Sequence, residues 1–266
     1  MFRRLSLALL VCAALPFAVR AQDVKLAYGP QNAKFLLSSK TKVAQEMMGQ
    51  KQEGESTAEQ KLTLAAAAKG AGQLDYTIVL DTMSATATMG PVPDLSKLIG
   101  TRFAGVIGTN GKAISGDVSV PTGGDLKSPQ SHQLKSFLPI LPATARMGGT
   151  WSDTNSATIA QANGAELKQT VVFTYTLAGD TAVDGAKAWK IAVASASTIT
   201  GKGNMQGQDF SIEGTGKGAG VHLISKDGQY LAREGTDETN LTVTVDAMGL
   251  VIPITQSTVV KMWRQK

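Results

Sequence analysis

Cysteine is nearly missing. The 266 residues hold one, Cys12, and it lies inside the leader described below. A chain that loses that leader has no thiol, so no disulfide can staple it and no Cys-based metal site or Cys nucleophile is available. Histidine is almost as rare, with only His132 and His222. Two isolated histidines without ligand spacing argue for packing or solvent roles over metal binding. Aromatic residues make up 5% of the chain, with three tryptophans, Trp151, Trp189 and Trp263, each beside or within a β-like run. After the N-terminus no apolar run approaches the roughly 20 residues of a membrane-spanning helix. There is no basic block either, which argues against nucleic-acid binding.

What is present begins with an export signal. Arg3 and Arg4 precede an apolar stretch from Leu5 to Val19, broken by Pro16, and Val19-Arg20-Ala21 offers a peptidase site. This order is that of a cleavable secretory leader, residues 1–21. An uncleaved anchor and a lipoprotein at Cys12 are the other readings; bulky Val11 and the apolar run past Cys12 count against the second. Three of the 26 basic residues and none of the 21 acidic residues leave with the leader, so the remaining chain is near neutral. The expected address is the periplasm, with full secretion as the alternative.

Residues 22–266 read as strands. Leu74, Tyr76, Ile78 and Leu80 alternate with polar or smaller residues. So do Val171, Phe173, Tyr175 and Leu177, then Trp189, Ile191 and Val193, then Leu241, Val243 and Val245. A period of two places one set against a core and the other toward solvent. Asn110-Gly111, Asn163-Gly164, Asp184-Gly185 and Asp227-Gly228 supply hairpin turns. The fold class expected is all-β, an antiparallel meander forming a barrel, half-barrel or sandwich with one or two short helices. One helix is a turn at Asp94–Leu98. The other is Ser128–Leu138, with Ser128 as cap, Pro129 at the first position, and Pro139 and Pro142 ending it. It lies in a crossover near 121–142, which would join two β halves of one domain. A repeated Met-Gly turn, at Met48-Gly49, Met205-Gln206-Gly207 and Met248-Gly249, hints that the halves are related.

The chemical signatures are weak. Ser39-Lys40-Thr41-Lys42 matches Ser-x-x-Lys without its companion motifs. Gly214 to Gly220, in Gly-Thr-Gly-Lys-Gly-Ala-Gly, lacks the following helix of a phosphate loop, and a flexible or bulged strand edge is expected instead. No catalytic residue, metal ligand or cofactor is assigned. Met47, Met48, Met83, Met89, Met205 and Met248 either line a barrel mouth or fill a core.

Three segments carry a resemblance: Leu98-Ile99-Gly100-Thr101-Arg102-Phe103, the Asn110-Gly111-Lys112 hairpin, and Phe137-Leu138-Pro139-Ile140-Leu141-Pro142 followed by Met147-Gly148-Gly149-Thr150-Trp151. In that order they resemble a family of exported bacterial proteins of unknown function. Gly149 stands where that family commonly has an acid, so no role for the acid carries over. A meander with an internal helix is also similar to the half-barrels of periplasmic lipoprotein carriers, whose concave sheets hold acyl chains. The family resemblance implies no known activity, and the carrier likeness is one of architecture alone. The first functional reading is a non-enzymatic binding protein that holds an apolar ligand, a lipid or an acylated protein, in a β cavity lined by inward residues such as Tyr76, Phe173, Trp189 and Met205. The alternatives are an envelope structural or interaction protein with a filled core, and a hydrolase using carboxylates or a Ser/Lys pair.

Overall fold

The computed structural model describes residues 23–265, except 48, 91, 93, 123–125, 127, 161–165 and 206, and leaves the side chains of 160 and 205 undescribed. The leader and the Asn163-Gly164 turn lie outside the described residues.

Thirteen strands and one α-helix are described: β1 (Val24–Lys25), β2 (Gln31–Met47), β3 (Gln50–Gly70), β4 (Gln73–Ala87), β5 (Arg102–Gly108), β6 (Ala113–Ser119), α1 (Pro129–Lys135), β7 (Thr144–Ala145), β8 (Thr150–Ala160), β9 (Glu166–Val183), β10 (Ala186–Met205), β11 (Gln208–Ser225), β12 (Tyr230–Val245) and β13 (Leu250–Arg264). Eleven of the strands form a single antiparallel sheet in the order β6-β5-β4-β3-β2-β13-β12-β11-β10-β9-β8, and β1 pairs with β7 in a small clip. The all-β meander expected from alternation is what forms. The sheet does not close: β6 and β8 are its two edges, and α1 packs against β5 and β6 on one side and β8 on the other. A helix that touches both edges holds the sheet in a half-barrel.

The alternation fixes which face is inside. Leu74, Tyr76, Ile78 and Leu80 on β4 are buried while Asp75 between them is exposed. The same inward face appears at Tyr175 and Leu177 of β9, Ile191 of β10 and Val245 of β12. Turn chemistry does the rest. Asp184 (φ 48°) and Gly185 (φ 82°) both take the left-handed conformations of a two-residue hairpin between β9 and β10. The three Met-Gly turns join β2 to β3, β10 to β11 and β12 to β13, all at one end of the meander; Met48 and Gln206 lie outside the described residues.

The other end holds the main core. Phe35 of β2, Phe137 after α1 and Tyr230 of β12 form a ring triangle with centroids 5.7–6.0 Å apart. Leu62, Leu64, Ile78, Phe103, Leu134 and Ile224 surround it. Helix α1 is short because its signals are: Ser128 Oγ accepts from Ser131 N at 3.2 Å, Pro129 fills the first position, and the helix stops at Ser136. The chain after it is pinned to the core's rim, where Tyr28 donates to Pro139 O (2.9 Å) and Trp151 Nε1 donates to Ile140 O (2.8 Å). The turn expected at Asp94–Leu98 is a single 3-10 turn, Ser96–Leu98. A second, smaller apolar cluster of Phe210, Ile212 and Val245 sits at the Met-Gly end.

One expectation fails. The glycine run Gly214–Gly220 is neither a sheet edge nor bulged. It runs through the middle of β11, paired residue by residue to β10 and β12, and the bulge against β12 falls later, between Leu223 and Ile224. The reason is that tertiary pairing, which local sequence does not reveal, places β11 between two long strands.

Candidate functional site

Between the two apolar clusters the concave face is neither filled nor apolar. The strand registers line up inward residues in rows across the sheet. One row runs Asp153, Phe173, Ser195, Gly218, Asp237, Thr258 and Thr41, from β8 through β13 to β2. The next runs Asn155, Val171, Ser197, Gly216, Thr239 and Gln256. The row on the core side includes Tyr175, Val193, Gly220, Gly235 and Val260. These rows enclose a groove of about 400 Å³, within the range of small-molecule sites.

Glycine makes the groove. Gly214, Gly216, Gly218 and Gly220 occupy every inward position of β11 between Ile212 and His222, so the floor there is backbone, over which Ser195, Ser197, Asp237 and Leu241 of the neighbouring strands lean. A β-carbon at Gly218 would strike the Asp237 carboxylate and lie 2.5 Å from Ser195 Oγ. At Gly220 it would lie 2.5 Å from the Glu234 carbonyl oxygen of β12. The first obstacle is the mobile end of a side chain; the second is fixed backbone.

The side chains around this floor form two walls. On the β9–β10 side stand Val171, Phe173, Val193, Ser195 and Ser197, and on the β12–β13 side Thr239, Gln256, Thr258 and Val260, so each wall carries both apolar and hydrogen-bonding surface. Thr258 and Thr41 bond each other across β13 and β2 at 3.0 Å. At the core end an aromatic stack rises to the groove: Trp151 on Tyr175 (5.6 Å, 20°) and Phe173 on Tyr175 (6.0 Å, 23°). His222 Nδ1 bonds the Tyr230 hydroxyl at 2.8 Å. Burial, with a smaller push from the Arg233 cation, lowers the His222 pKa to about 3, so the ring is neutral. Burial likewise raises the Tyr175 and Tyr230 hydroxyls. Loss of water around Asp237 raises its carboxyl, against the opposing pull of Arg233.

The residues expected to line a cavity do not meet in one place. Phe173 lines the groove. Tyr76 is buried in the main core against Phe103 (5.9 Å), its hydroxyl without a hydrogen-bond partner among the described residues. Trp189 flanks the core, with Lys226 Nζ 4.1 Å over its ring and Lys226 paired to Asp180 at 2.7 Å. Met205 ends β10 at the Met-Gly end, and its side chain lies outside the described part. Ser39 and Lys42 fall on opposite faces of β2, because strand positions three apart point apart, so they form no Ser-Lys pair. Asp153 and Asp237 share a row with three strands between them. Among the described residues no group of three or more His, Cys, Asp or Glu could hold a metal ion.

Sequence reasoning passed over Arg233, Asp237 and the serines of β10. The one visible signal was the glycine at every second position, which marks a strand face stripped of side chains.

No protein-family model and no curated protein matches the chain. Solved structures give low overlap. A DUF1329 family protein from Desulfovibrio piger is 13% identical, with 83% of each chain covered and a TM-score of 0.22. Two Pseudomonas aeruginosa proteins, OpdQ and OccK2 (OpdF), are each 10% identical; 89% and 92% of this chain and all of theirs are covered, at TM-scores of 0.29 and 0.31. At that overlap the likeness is no guide to family, ligand or location.

Proposed function

We propose that the exported chain is a binding protein of the bacterial envelope, placed in the periplasm by its leader, that holds an amphipathic ligand with an acyl or other apolar portion in the concave groove. The observation that carries this is the glycine-floored gap on the inner face, left open between two packed clusters. A sheet built only for structure gains by filling such a face, since each buried CH₂ stabilises by about 0.8 kcal/mol. Valines 171, 193 and 260 with Phe173 suit the ligand's apolar part, and the Ser, Thr and Gln side chains suit its polar part. Binding is favoured over hydrolysis because the inward carboxylates Asp153 and Asp237 stand on strands far apart in the sheet, and only Asp237 lines the groove.

The test is native mass spectrometry of the chain purified from its own envelope without detergent. The expected result is a stoichiometric bound small molecule, released on denaturation, that alters Trp151 fluorescence when added back. A chain that arrives empty, and whose fluorescence no amphiphile changes, overturns the reading in favour of an interaction protein.

A further inference from the structure

Arg233 stands out on the concave face. It lies on β12 at the core end of the groove, with His222 and Met262 as its cross-strand neighbours on the same face. Some cations of the sheet's outer face pair with acids, as Lys40 does with Glu55 (2.7 Å) and Lys217 with Glu238 (3.1 Å), and others project into solvent. Arg233 forms no ion pair and no hydrogen bond within the described residues, although a guanidinium carries five N–H donors. The groups facing it from the adjoining strands are His222 of β11 and Met262 of β13, with Tyr175 of β9 further across the sheet, none of them anionic. On its own strand the inward acid is Asp237, four residues on; burial raises its carboxyl and Arg233 pulls it down through space, but the two residues form no ion pair. An unpaired guanidinium on the wall of a groove, with apolar side chains on one side and hydroxyls beyond, is a receptor for one kind of group. It suits a planar or tetrahedral oxyanion, which it binds through two parallel N–H···O bonds.

We infer that Arg233 anchors the acidic head of the groove's ligand, a carboxylate or phosphate carried on an apolar chain. The assignment rests on the binding function proposed above and narrows it from any amphiphile to an anionic one. The head sits at Arg233. The apolar portion lies along Val193, Phe173 and Val171, beside the glycine floor that Ser195, Ser197 and Asp237 partly cover. The neighbouring His222 is a neutral partner of Tyr230 and so leaves the guanidinium as the local positive charge.

The experiment is calorimetric titration of the purified exported chain with decanoate, decyl phosphate, uncharged decanol and inorganic phosphate. The two decyl acids are expected to bind at least tenfold more tightly than decanol, and their ranking tells a carboxylate head from a phosphate head. Arg233→Gln is expected to weaken both acids by at least tenfold while leaving decanol unchanged. Arg233→Lys, which keeps the charge but not the fork, recovers part of the loss. A thermal melt within a few degrees of the parent shows that each variant is folded. If the acids bind Arg233→Gln as tightly as the parent, the anchor assignment is overturned and the binding function stands. If none of the decyl compounds binds the parent chain, the binding function falls and the anchor with it. If inorganic phosphate binds as tightly as decyl phosphate, the site is a plain anion site and the amphiphile assignment is overturned.

Discussion

The same strands pass through two unlike regions. At the core end their inward positions carry Phe35, Leu62, Ile78, Leu177, Ile191 and Ile224, all essentially inaccessible to solvent. A few residues further along, the inward positions of those strands or their neighbours carry Thr41, Ser195, Ser197 and Gly218, half-exposed around an open groove. Backbone pairing runs through both, with bulges at Lys61/Leu62, Lys190/Ile191 and Leu223/Ile224 on the core side, so the main difference lies in side-chain volume. A meander becomes a core where the inward residues are large and a receptacle where they are small. No change of fold is needed to switch between them.

The sharpest way to break this comparison is a matched pair on β2. Phe35→Ala, which empties the centre of the ring triangle, should cost about 3–5 kcal/mol. Val43→Ala, eight positions along on the same inward face and only half-buried, should cost under about 1 kcal/mol. Urea denaturation measures both, and equal losses would show that the far part of the strand is packed as tightly as the core. Next in size is Gly220→Ala, whose new methyl meets the β12 backbone; it should cost about 1–3 kcal/mol. Gly218→Ala meets only rotatable side-chain ends and should cost less in the same assay, while shrinking the groove.

A third effect follows from His222. Its native pKa of about 3 lies below the ordinary 6.5, so below about pH 6.5 the unfolded chain gains a proton that the folded chain refuses. Stability from this group is full above that pH and is lost as pH falls toward 3, by up to about 1.4 kcal/mol per unit. Thermal melts between pH 6.5 and 5, above the range where most carboxylates titrate, should show a slope that His222→Gln flattens. A residual slope is expected from His132, whose pKa burial also lowers. A further modest change is Ser128→Ala, which removes the cap of the helix that touches both sheet edges and should lower stability by about 1 kcal/mol.

The fold was legible wherever apolar residues alternated with polar ones. Leu74 to Leu80 and Val171 to Leu177 announced both their strands and their buried faces, and Ser128-Pro129 announced the helix. The groove was not legible, and the reason is physical. Around Arg233 the sequence reads Ala-Arg-Glu-Gly-Thr-Asp-Glu-Thr, polar on both faces, so no periodicity tells which side turns inward. That Arg233 faces His222 depends on the register of β11 against β12, a tertiary fact. Tyr76 and Trp189 misled as cavity candidates because large inward aromatics are what a filled core requires. The emptiness had to be read from glycines, whose lack of a side chain looks the same at a turn, a bulge or a bare wall.

The seam between β2 and β13 has a consequence for how this chain folds. Thr41 and Thr258, which touch there, are 217 residues apart in sequence. Joining them closes a very long loop, a slow step that local hairpins cannot shortcut. Until β13 arrives, β2 to β6 and β8 to β12 are separate sheets with raw inner margins. In the eleven-stranded sheet the two wings share backbone pairing at that seam, which forms only once the final strand is in place.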